Sequence, residues 1–264
     1  MAAFLMSFFS FCLHVALPVA AIGILAVSVL LLSLTISHRS PVRKCRPKDA
    51  HVHLLVVLGS GGHTAEMFSM LRRWTLEPSR YAYRTYVVSS GDNFSAQKAR
   101  EFEANHMAEG GTPKHAYTIV TVPRARRVHQ SYLTAPFSTL HCFWACLMVL
   151  WGQYPEQQHL PTEFSSPYPD LILTNGPATA VCMIVAAKLL RFLHCFLPFH
   201  KAYSGMPKLR TVFIESWARV STLSMSGKLL LPLADTFLVQ WPKLGGRRAW
   251  WGMKRTQYAG TLVD

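Results

Sequence analysis

Short apolar runs alternate with amphipathic segments along most of the chain, and this alternation predicts a repeating strand–helix order. Six apolar runs are predicted to be strands, at residues 53–58, 84–89, 117–122, 170–174, 211–215 and 236–240. Helices are predicted between them, at residues 65–74, 94–105, 135–151 and 178–193. Strands that helices cover on both faces are almost continuously apolar. The pattern therefore predicts an α/β fold, with one parallel sheet in a single Rossmann-like domain over residues 53–264.

The N-terminal segment has a different pattern. No residue from Phe4 to Ile36 is formally charged, and about 20 apolar residues are enough to cross a bilayer as a helix. A cleaved signal peptide is the alternative, but it would have a basic start and an apolar stretch of only about 7–15 residues. Here no Lys or Arg precedes the run. We therefore expect one transmembrane anchor at residues 1–38, followed by a basic linker at residues 39–52.

The charge of the chain predicts the orientation of the anchor and limits the classes of partner. The chain has a formal net charge of +14, which suits an anionic membrane face or a phosphorylated substrate. Positive charge stays on the cytoplasmic side of a membrane, so the rest of the chain is expected to face the cytosol. A nucleic-acid partner is not expected, because no RNA- or DNA-binding motif accompanies the basic clusters. The basic residues that follow the anchor are Arg39, Arg43, Lys44, Arg46 and Lys48.

The six cysteines give no sign of a metal or redox site. They form no CxxC pair and no His/Cys cluster with zinc-ligand spacing. We expect all six to be reduced and non-catalytic, and no metal ligands are assigned. A requirement for a divalent metal stays open.

The predicted helix at residues 135–151 is unusual because it contains no formally charged side chain. It is short for a membrane crossing, and a crossing would carry the later strands to the other side of the membrane. We expect a helix in the layer that covers the sheet. Contact with a membrane surface is the close alternative.

A glycine-rich turn follows the first predicted strand. Glycines allow the backbone to approach an anion, and the dipole of the next helix attracts it. The turn is neither a Walker loop nor a dinucleotide fingerprint, since His63-Thr64 stands where Lys-Ser/Thr or a third glycine is required. His63 could donate a hydrogen bond to an anion or accept a proton from a hydroxyl, whereas Glu66 is expected only as a helix-end partner. The predicted phosphate-binding residues are Gly59, Ser60, Gly61 and Gly62.

Other strand ends add candidate ligand contacts, because the carboxyl ends of parallel strands form the ligand face. Arg124 and Arg127 follow the third strand and could bring guanidinium groups to a diphosphate. Asn175 closes the fourth strand and Glu215 the fifth.

Five motifs in this order, behind an N-terminal anchor, resemble one known family. They are GSGGHTAEM, PRARRVHQSY, DLILTNGP, FIESWARV and LADTFLVQWP. The chain resembles the membrane-anchored subunits of the UDP-N-acetylglucosamine (UDP-GlcNAc) transferase that performs the second step of dolichol-linked oligosaccharide assembly. The resemblance covers most of the chain after Leu54. More distantly, the glycine-rich turn is similar to part of the N-terminal half of the bacterial enzyme that adds N-acetylglucosamine to a lipid-linked muramyl peptide.

The resemblance implies that this chain is the acceptor half of an inverting GT-B glycosyltransferase. The chain would be inactive alone and located on the cytosolic face of the endoplasmic reticulum membrane. It implies that the glycine-rich turn and His63 face the diphosphate or reacting sugar of GlcNAc-diphosphodolichol, with Asn175 and Glu215 in the same cleft. A soluble catalytic partner would hold the donor UDP-GlcNAc, and this chain would bind no cofactor. The C-terminal segment would dock on that partner, although the insert at residues 243–255 is longer than expected. The docking residues are Tyr258, Ala259, Gly260, Thr261, Leu262 and Val263.

Only one Rossmann-like unit is predicted after the anchor and linker, whereas a complete two-domain transferase needs about twice that length. The sequence also contains no second glycine-rich unit for a nucleotide. Two rival functions stay open: a membrane recruiter that never touches substrate, and a self-sufficient membrane-bound enzyme acting on a sugar or nucleotide. We expect the chain to be a subunit of the divided transferase.

Overall fold

The computed structural model describes residues 51–263, except for gaps at 75, 78, 108–116, 128–129, 132, 159, 162–163, 165, 167, 177 and 197–208. The predicted anchor at residues 1–38 and nearly all of the linker lie outside the described residues. Residues 51–249 and 255–263 belong to one compact unit, which does not include residues 250–254. Within the described part of the chain, no helix combines the length and apolar character needed to span a membrane.

The compact unit alternates strands and helices, as predicted. The strands are β1 His53–Val57, β2 Tyr83–Ser89, β3 Tyr117–Val122, β4 Leu171–Asn175, β5 Arg210–Ile214, β6 Thr236–Val239 and β7 Gln257–Tyr258. The helices are α1 Gly62–Arg73, α2 Asn93–Phe102, α3 Ala135–Leu150, α4 Ala178–Phe196 and α5 Met225–Leu230. A π-helical turn, Glu103–Met107, continues α2, and a 3₁₀ turn, Pro242–Leu244, follows β6. Neither β7 nor α5 was predicted.

All seven strands form one parallel sheet in the order β3-β2-β1-β4-β5-β6-β7. This confirms the predicted α/β, Rossmann-like fold. The strand order reverses between β1 and β4. Strands β2 and β4 flank β1, so Val57 of β1 lies opposite Val87 of β2 on one side and Thr174 of β4 on the other. Ligands of open α/β sheets bind in the crevice at such a reversal, outside the carboxyl ends of the strands.

The packing of strand β1 between two cores explains its run of apolar residues. Leu54 and Val56 point into the core under α1 and α2, whereas Leu55 and Val57 point into the core under α3 and α4. Successive side chains of a strand alternate between the two faces of its sheet, so a strand covered on both faces needs apolar residues at every position. The first strand is therefore rigidly held, and the turn that follows it starts from a fixed point.

Helix α3 packs in the covering layer, as expected, but only one face is buried. Cys142 and Cys146 face the core and, with Cys182 of α4, are free thiols. The opposite face leaves large apolar side chains in solvent, with Phe137 77% and Trp144 61% exposed. An apolar outer face on a covering helix needs a second partner, since soluble monomers rarely expose such patches.

An ion pair lies inside the layer that contains α2. The guanidinium of Arg84 donates to both carboxylate oxygens of Glu103, at 2.6 and 2.7 Å, and Tyr86 Oη donates to Glu103 Oε1 at 2.7 Å. Both charged side chains are almost fully buried, with exposed fractions of 1% and 4%. Glu103 opens the π-helical turn, so the pair links that turn to β2.

Candidate functional site

The glycine-rich turn places the start of α1 at the strand-order reversal. Gly61 has φ 60°, in the left-handed region that favours glycine, and immediately precedes the helix. A Cβ built on Gly61 or Gly62 would meet nothing within 4 Å, so this side of the turn is open. The N–H groups of Gly62 and His63 have no acceptor among the described residues. Free N–H groups at a helix start form an anion-binding site.

The inner side of the turn is held by a buried chain of hydrogen bonds. Thr64 Oγ1 donates to Gly59 O and lies 2.6 Å from Ser95 Oγ. Ser95 Oγ donates to Asp92 Oδ2 at 2.6 Å, and Ser95 N donates to Asp92 Oδ1 at 3.1 Å. Asp92 therefore caps α2 and fixes the turn after β1, and Thr64 replaces the third glycine of a dinucleotide fingerprint with a structural hydroxyl.

His63 lies at the open end of α1 with its ring against the turn after β4. A Cβ on Gly176, which has φ 83°, would lie 2.7 Å from Cγ of the imidazole. Nδ1 is buried and faces Glu66 Oε2 at 3.5 Å, although the side chain as a whole is 36% exposed. The accessible part of the ring is therefore the edge that carries Nε2. The carboxylate of Glu66 beside the imidazole raises the pKa of His63, and this effect outweighs the opposing effect of burial.

Glu66 differs from its predicted role. Helix α1 begins at Gly62, so Glu66 lies beyond the first turn and does not complement the helix end. Its carboxylate accepts from Asn175 Nδ2 at 3.0 Å, Ser216 Oγ at 2.9 Å and Trp217 N at 3.1 Å. Burial raises the pKa of Glu66, but the nearby His63 and the hydrogen bonds from Asn175 and Ser216 lower it by more than burial raises it, so the net shift is downward. The sequence contained one signal for this contact, the i, i+3 spacing of His63 and Glu66 on one helix face.

Asn175 and Glu215 both lie at strand ends beside this cluster, in different settings. Asn175 is fully buried and has an unpartnered Oδ1. Glu215 is 1% exposed, and its two oxygens accept from Ser216 N at 3.2 Å and Ser224 N at 3.1 Å. Burial raises the pKa of Glu215. The carboxylate of Glu215 thus holds both ends of the loop at residues 216–224, and its predicted contact with a ligand stays a prediction.

Arg124 and Arg127 lie in a pocket that is separate from the glycine-rich turn. They line a pocket of about 720 Å³ at the carboxyl ends of β2 and β3, beside Phe137 and His141 of α3. Arg124 Nε donates to Ser90 O at 2.8 Å. None of residues 59–63 lines this pocket. The structure therefore groups the two arginines with the exposed apolar face of α3 and not with the glycine-rich turn.

The predicted docking segment divides into two parts. Tyr258 lies on the edge strand β7 and is 52% exposed. Leu262 and Val263 pack against the core under α1, and Leu262 N donates to Gln240 Oε1 at 3.0 Å. Thr261 O accepts from Arg73 Nη1 at 3.2 Å. The last residues therefore pack on this chain's own fold, and the exposed part of the segment is centred on Tyr258.

The described site is an open helix terminus next to a histidine–carboxylate pair. Such an arrangement can bind an anion through backbone N–H groups and can move a proton at Nε2 of His63. No group of three or more His, Cys, Asp or Glu side chains in the described part of the chain is placed to hold a metal ion.

Comparison with known proteins gives a consistent set of relatives. Residues 54–262 match the family described as "Oligosaccharide biosynthesis protein Alg14 like". The chain is 57% identical over 229 residues to the UDP-N-acetylglucosamine transferase subunit alg14 of Aspergillus fumigatus, covering 75% of this chain and 100% of the relative. It is 35% identical over 247 residues to the subunit of the same name in Schizosaccharomyces pombe, covering 92% and 97%. It is 37% identical over 201 residues to the human subunit, covering 75% and 79%. No solved structure matches significantly.

Proposed function

The chain belongs to the Alg14 family, and from this premise we propose that it is the acceptor-binding subunit of a UDP-N-acetylglucosamine transferase. The relatives' names support a role as one subunit of that transferase. The substrate that the site suits best is a lipid-linked sugar diphosphate, GlcNAc-diphosphodolichol. The observation that carries this proposal is the open start of α1, with free N–H groups at Gly62 and His63, beside an accessible imidazole edge.

The reaction follows from this placement. The diphosphate accepts hydrogen bonds from the N–H groups of the turn, which holds the acceptor sugar near His63. The acceptor's 4-hydroxyl attacks the anomeric carbon of UDP-GlcNAc, the bond from that carbon to the UDP oxygen breaks, and the configuration inverts. Neutral His63 accepts the hydroxyl proton at Nε2 as the bond forms. A direct contact between His63 and the diphosphate is the alternative role.

The donor site belongs to a separate chain in this proposal. The described unit has one Rossmann-like sheet, which matches half of a two-domain GT-B enzyme. A soluble catalytic subunit would hold UDP-GlcNAc, and the exposed part of the tail around Tyr258 would contribute to its docking surface. We expect no transfer by this chain alone.

The membrane holds the acceptor close to the site. Residues 1–38 are proposed as a single-pass anchor in the endoplasmic reticulum membrane, with the α/β unit on the cytosolic side. The exposed apolar face of α3 supports contact with a membrane surface beside the pocket of Arg124 and Arg127. An apolar helix face next to cationic side chains suits an anionic membrane interface. A lipid diphosphate that arrives from the bilayer would meet those guanidinium groups first.

Reconstitution tests the divided enzyme. The tagged chain is purified from membranes and identified partners are co-expressed with it, and GlcNAc transfer from UDP-GlcNAc to a short-chain lipid diphosphate acceptor is measured. Co-purification of a soluble Rossmann-like chain, and activity only when both chains are present, are expected. Transfer by the purified single chain would instead support a self-sufficient enzyme.

Gly62→Val separates substrate binding from a purely recruiting role. Gly62 is outside the left-handed region and its Cβ direction is empty, so valine fits the fold but fills the space where an anion would approach. We expect partner binding to persist and transfer activity to fall, with a higher KM for the lipid acceptor. Full activity in a folded, partner-bound variant would favour the recruiter.

A further inference from the structure

In the described site, Glu66 connects helix α1 to the carboxyl ends of two strands, β4 and β5. It lies on α1 after β1, accepts from Asn175 at the end of β4, and accepts from Ser216 and Trp217 after β5. Its side chain is only 14% exposed. A carboxylate with this many donors is held in one orientation, so its free side toward His63 Nδ1 is also fixed.

We propose that Glu66 is a positioning residue for His63, which holds the imidazole with its Nδ1 proton toward the carboxylate and Nε2 toward the acceptor hydroxyl. This inference rests on the proposed transferase function of the same site. A carboxylate beside one ring nitrogen selects the tautomer and leaves the other nitrogen to accept a proton. In the absence of substrate such contacts are often long and shorten only in the reactive complex, and the 3.5 Å separation between Nδ1 and Glu66 Oε2 fits that expectation.

The surroundings of His63 restrict the orientation of its imidazole ring. Gly176 closes one side, with its Cβ direction 2.7 Å from Cγ and 2.9 Å from Cδ2 of the imidazole. Nδ1 is buried with no hydrogen-bond partner within ordinary distance, and a buried polar atom without a partner is costly. A small rotation of the ring that brings the Nδ1–H closer to Glu66 Oε2 satisfies that atom and keeps Nε2 accessible.

The charges around His63 make Glu66 its main electrostatic partner. Glu66 faces it from its own helix, the neutral Asn175 and Gly176 face it from the turn after β4, and Glu215 acts from the end of β5. Both oxygens of Glu215 are occupied by backbone N–H groups, and burial raises its pKa. The pKa of Glu66 is lowered, so this carboxylate is ionised at neutral pH and favours the imidazolium that forms as His63 takes up a proton.

The test replaces Glu66 by glutamine in the full heterodimer. Glu66→Gln keeps the size but removes the charge, so we expect the His63 titration followed by histidine-selective NMR to move to lower pH. We expect kcat to fall about 10–100-fold, by analogy with the loss seen when the carboxylate partner of a metal-binding histidine is removed. KM for the acceptor should change little, since the N–H groups of the turn remain. Glu101→Gln, an exposed carboxylate of α2 paired with Lys98, is the matched control and should change neither quantity.

Two further variants separate positioning from a merely structural role. Ser216→Ala removes one contact to Glu66 but leaves the carboxylate facing His63, so it should lower stability and keep the pH profile. Glu66→Asp keeps the charge at shorter reach and should shift the His63 titration in the same direction by less, which also serves if the glutamine variant does not fold. An unchanged His63 titration in either Glu66 variant would overturn the proposal.

The pH profile also distinguishes the two roles of His63. If His63 is the base, kcat/KM rises with pH as the ring loses its proton, and Glu66→Gln moves that rising limb to lower pH. If the imidazolium contacts the diphosphate, activity falls as pH rises, and the falling limb moves to lower pH and overturns the Nε2 assignment. Absence of transferase activity in the wild-type heterodimer would refute the proposed function, whereas the NMR titration would still measure the contact between Glu66 and His63.

Discussion

Gly176→Ala should impair the reaction more than it impairs the fold. Gly176 has φ 83°, and a left-handed backbone costs a residue with a Cβ about 1–2 kcal/mol. The new methyl would lie 2.7 Å from Cγ of His63, whereas ordinary contacts begin at 3.4 Å, so the imidazole must move by at least about 0.7 Å. A misplacement of about 1 Å at a reacting group can cost about 100-fold in rate. We therefore expect transfer activity to fall about 10–100-fold.

The control for this prediction is Gly246→Ala. Gly246 has φ 76° and an empty Cβ direction, so alanine there carries the same backbone cost without touching His63. Each variant should lower Tm by about 2–4 °C per kcal/mol in a domain of this size. The assay is GlcNAc transfer by the heterodimer, together with thermal unfolding of both variants. Equal loss of activity in the two variants, or full activity in Gly176→Ala, would refute the placement of His63 in the reaction.

Three other predictions test the fold and its surface. Glu103→Ala leaves the buried guanidinium of Arg84 unpaired and should lower the free energy of unfolding by about 3–5 kcal/mol, measured by urea denaturation. Burial lowers the pKa of His53 to about 4, so the unfolded state binds a proton more tightly than the folded state. The free energy of unfolding should therefore fall by up to about 3 kcal/mol as pH drops from about 6.5 to 4. His53→Asn should flatten this pH dependence. Phe137→Ser with Trp144→Ser should reduce transfer to a long-chain acceptor in vesicles and leave transfer to a short-chain soluble acceptor unchanged; equal effects on both acceptors would contradict membrane contact by α3.

Secondary structure was largely predictable because the sheet is covered on both faces. Continuous apolar runs mark such strands, and the predicted and observed strands agree within a residue at each end for β1 to β6. The seventh strand was missed because Gln257–Tyr258 is short and exposed and has no apolar pattern. It exists because it pairs with β6 at a distant position in the chain. Local pattern contains no information about such pairing.

Buried charge was the other feature that local pattern missed. Arg84 begins a predicted strand and Glu103 lies near the end of a predicted amphipathic helix, and local pattern gives no reason to bury either charge. They pair inside the protein, where the bidentate contact and the Tyr86 hydroxyl compensate for the loss of water. Only the packing of α2 against β2 brings these side chains together.

The sequence alone determined the α/β class, the position of the glycine-rich turn and His63 as a candidate, because glycine content and apolar periodicity are local properties. The tertiary structure decided which strand ends meet. It brought Asn175 and Ser216 to Glu66, and so gave His63 a carboxylate partner that its own helix only suggested. It also separated Arg124 and Arg127 from the turn, since β2 lies between β3 and β1 in the sheet. The physical reason is strand order, which sets the distances between loops and depends on long-range pairing.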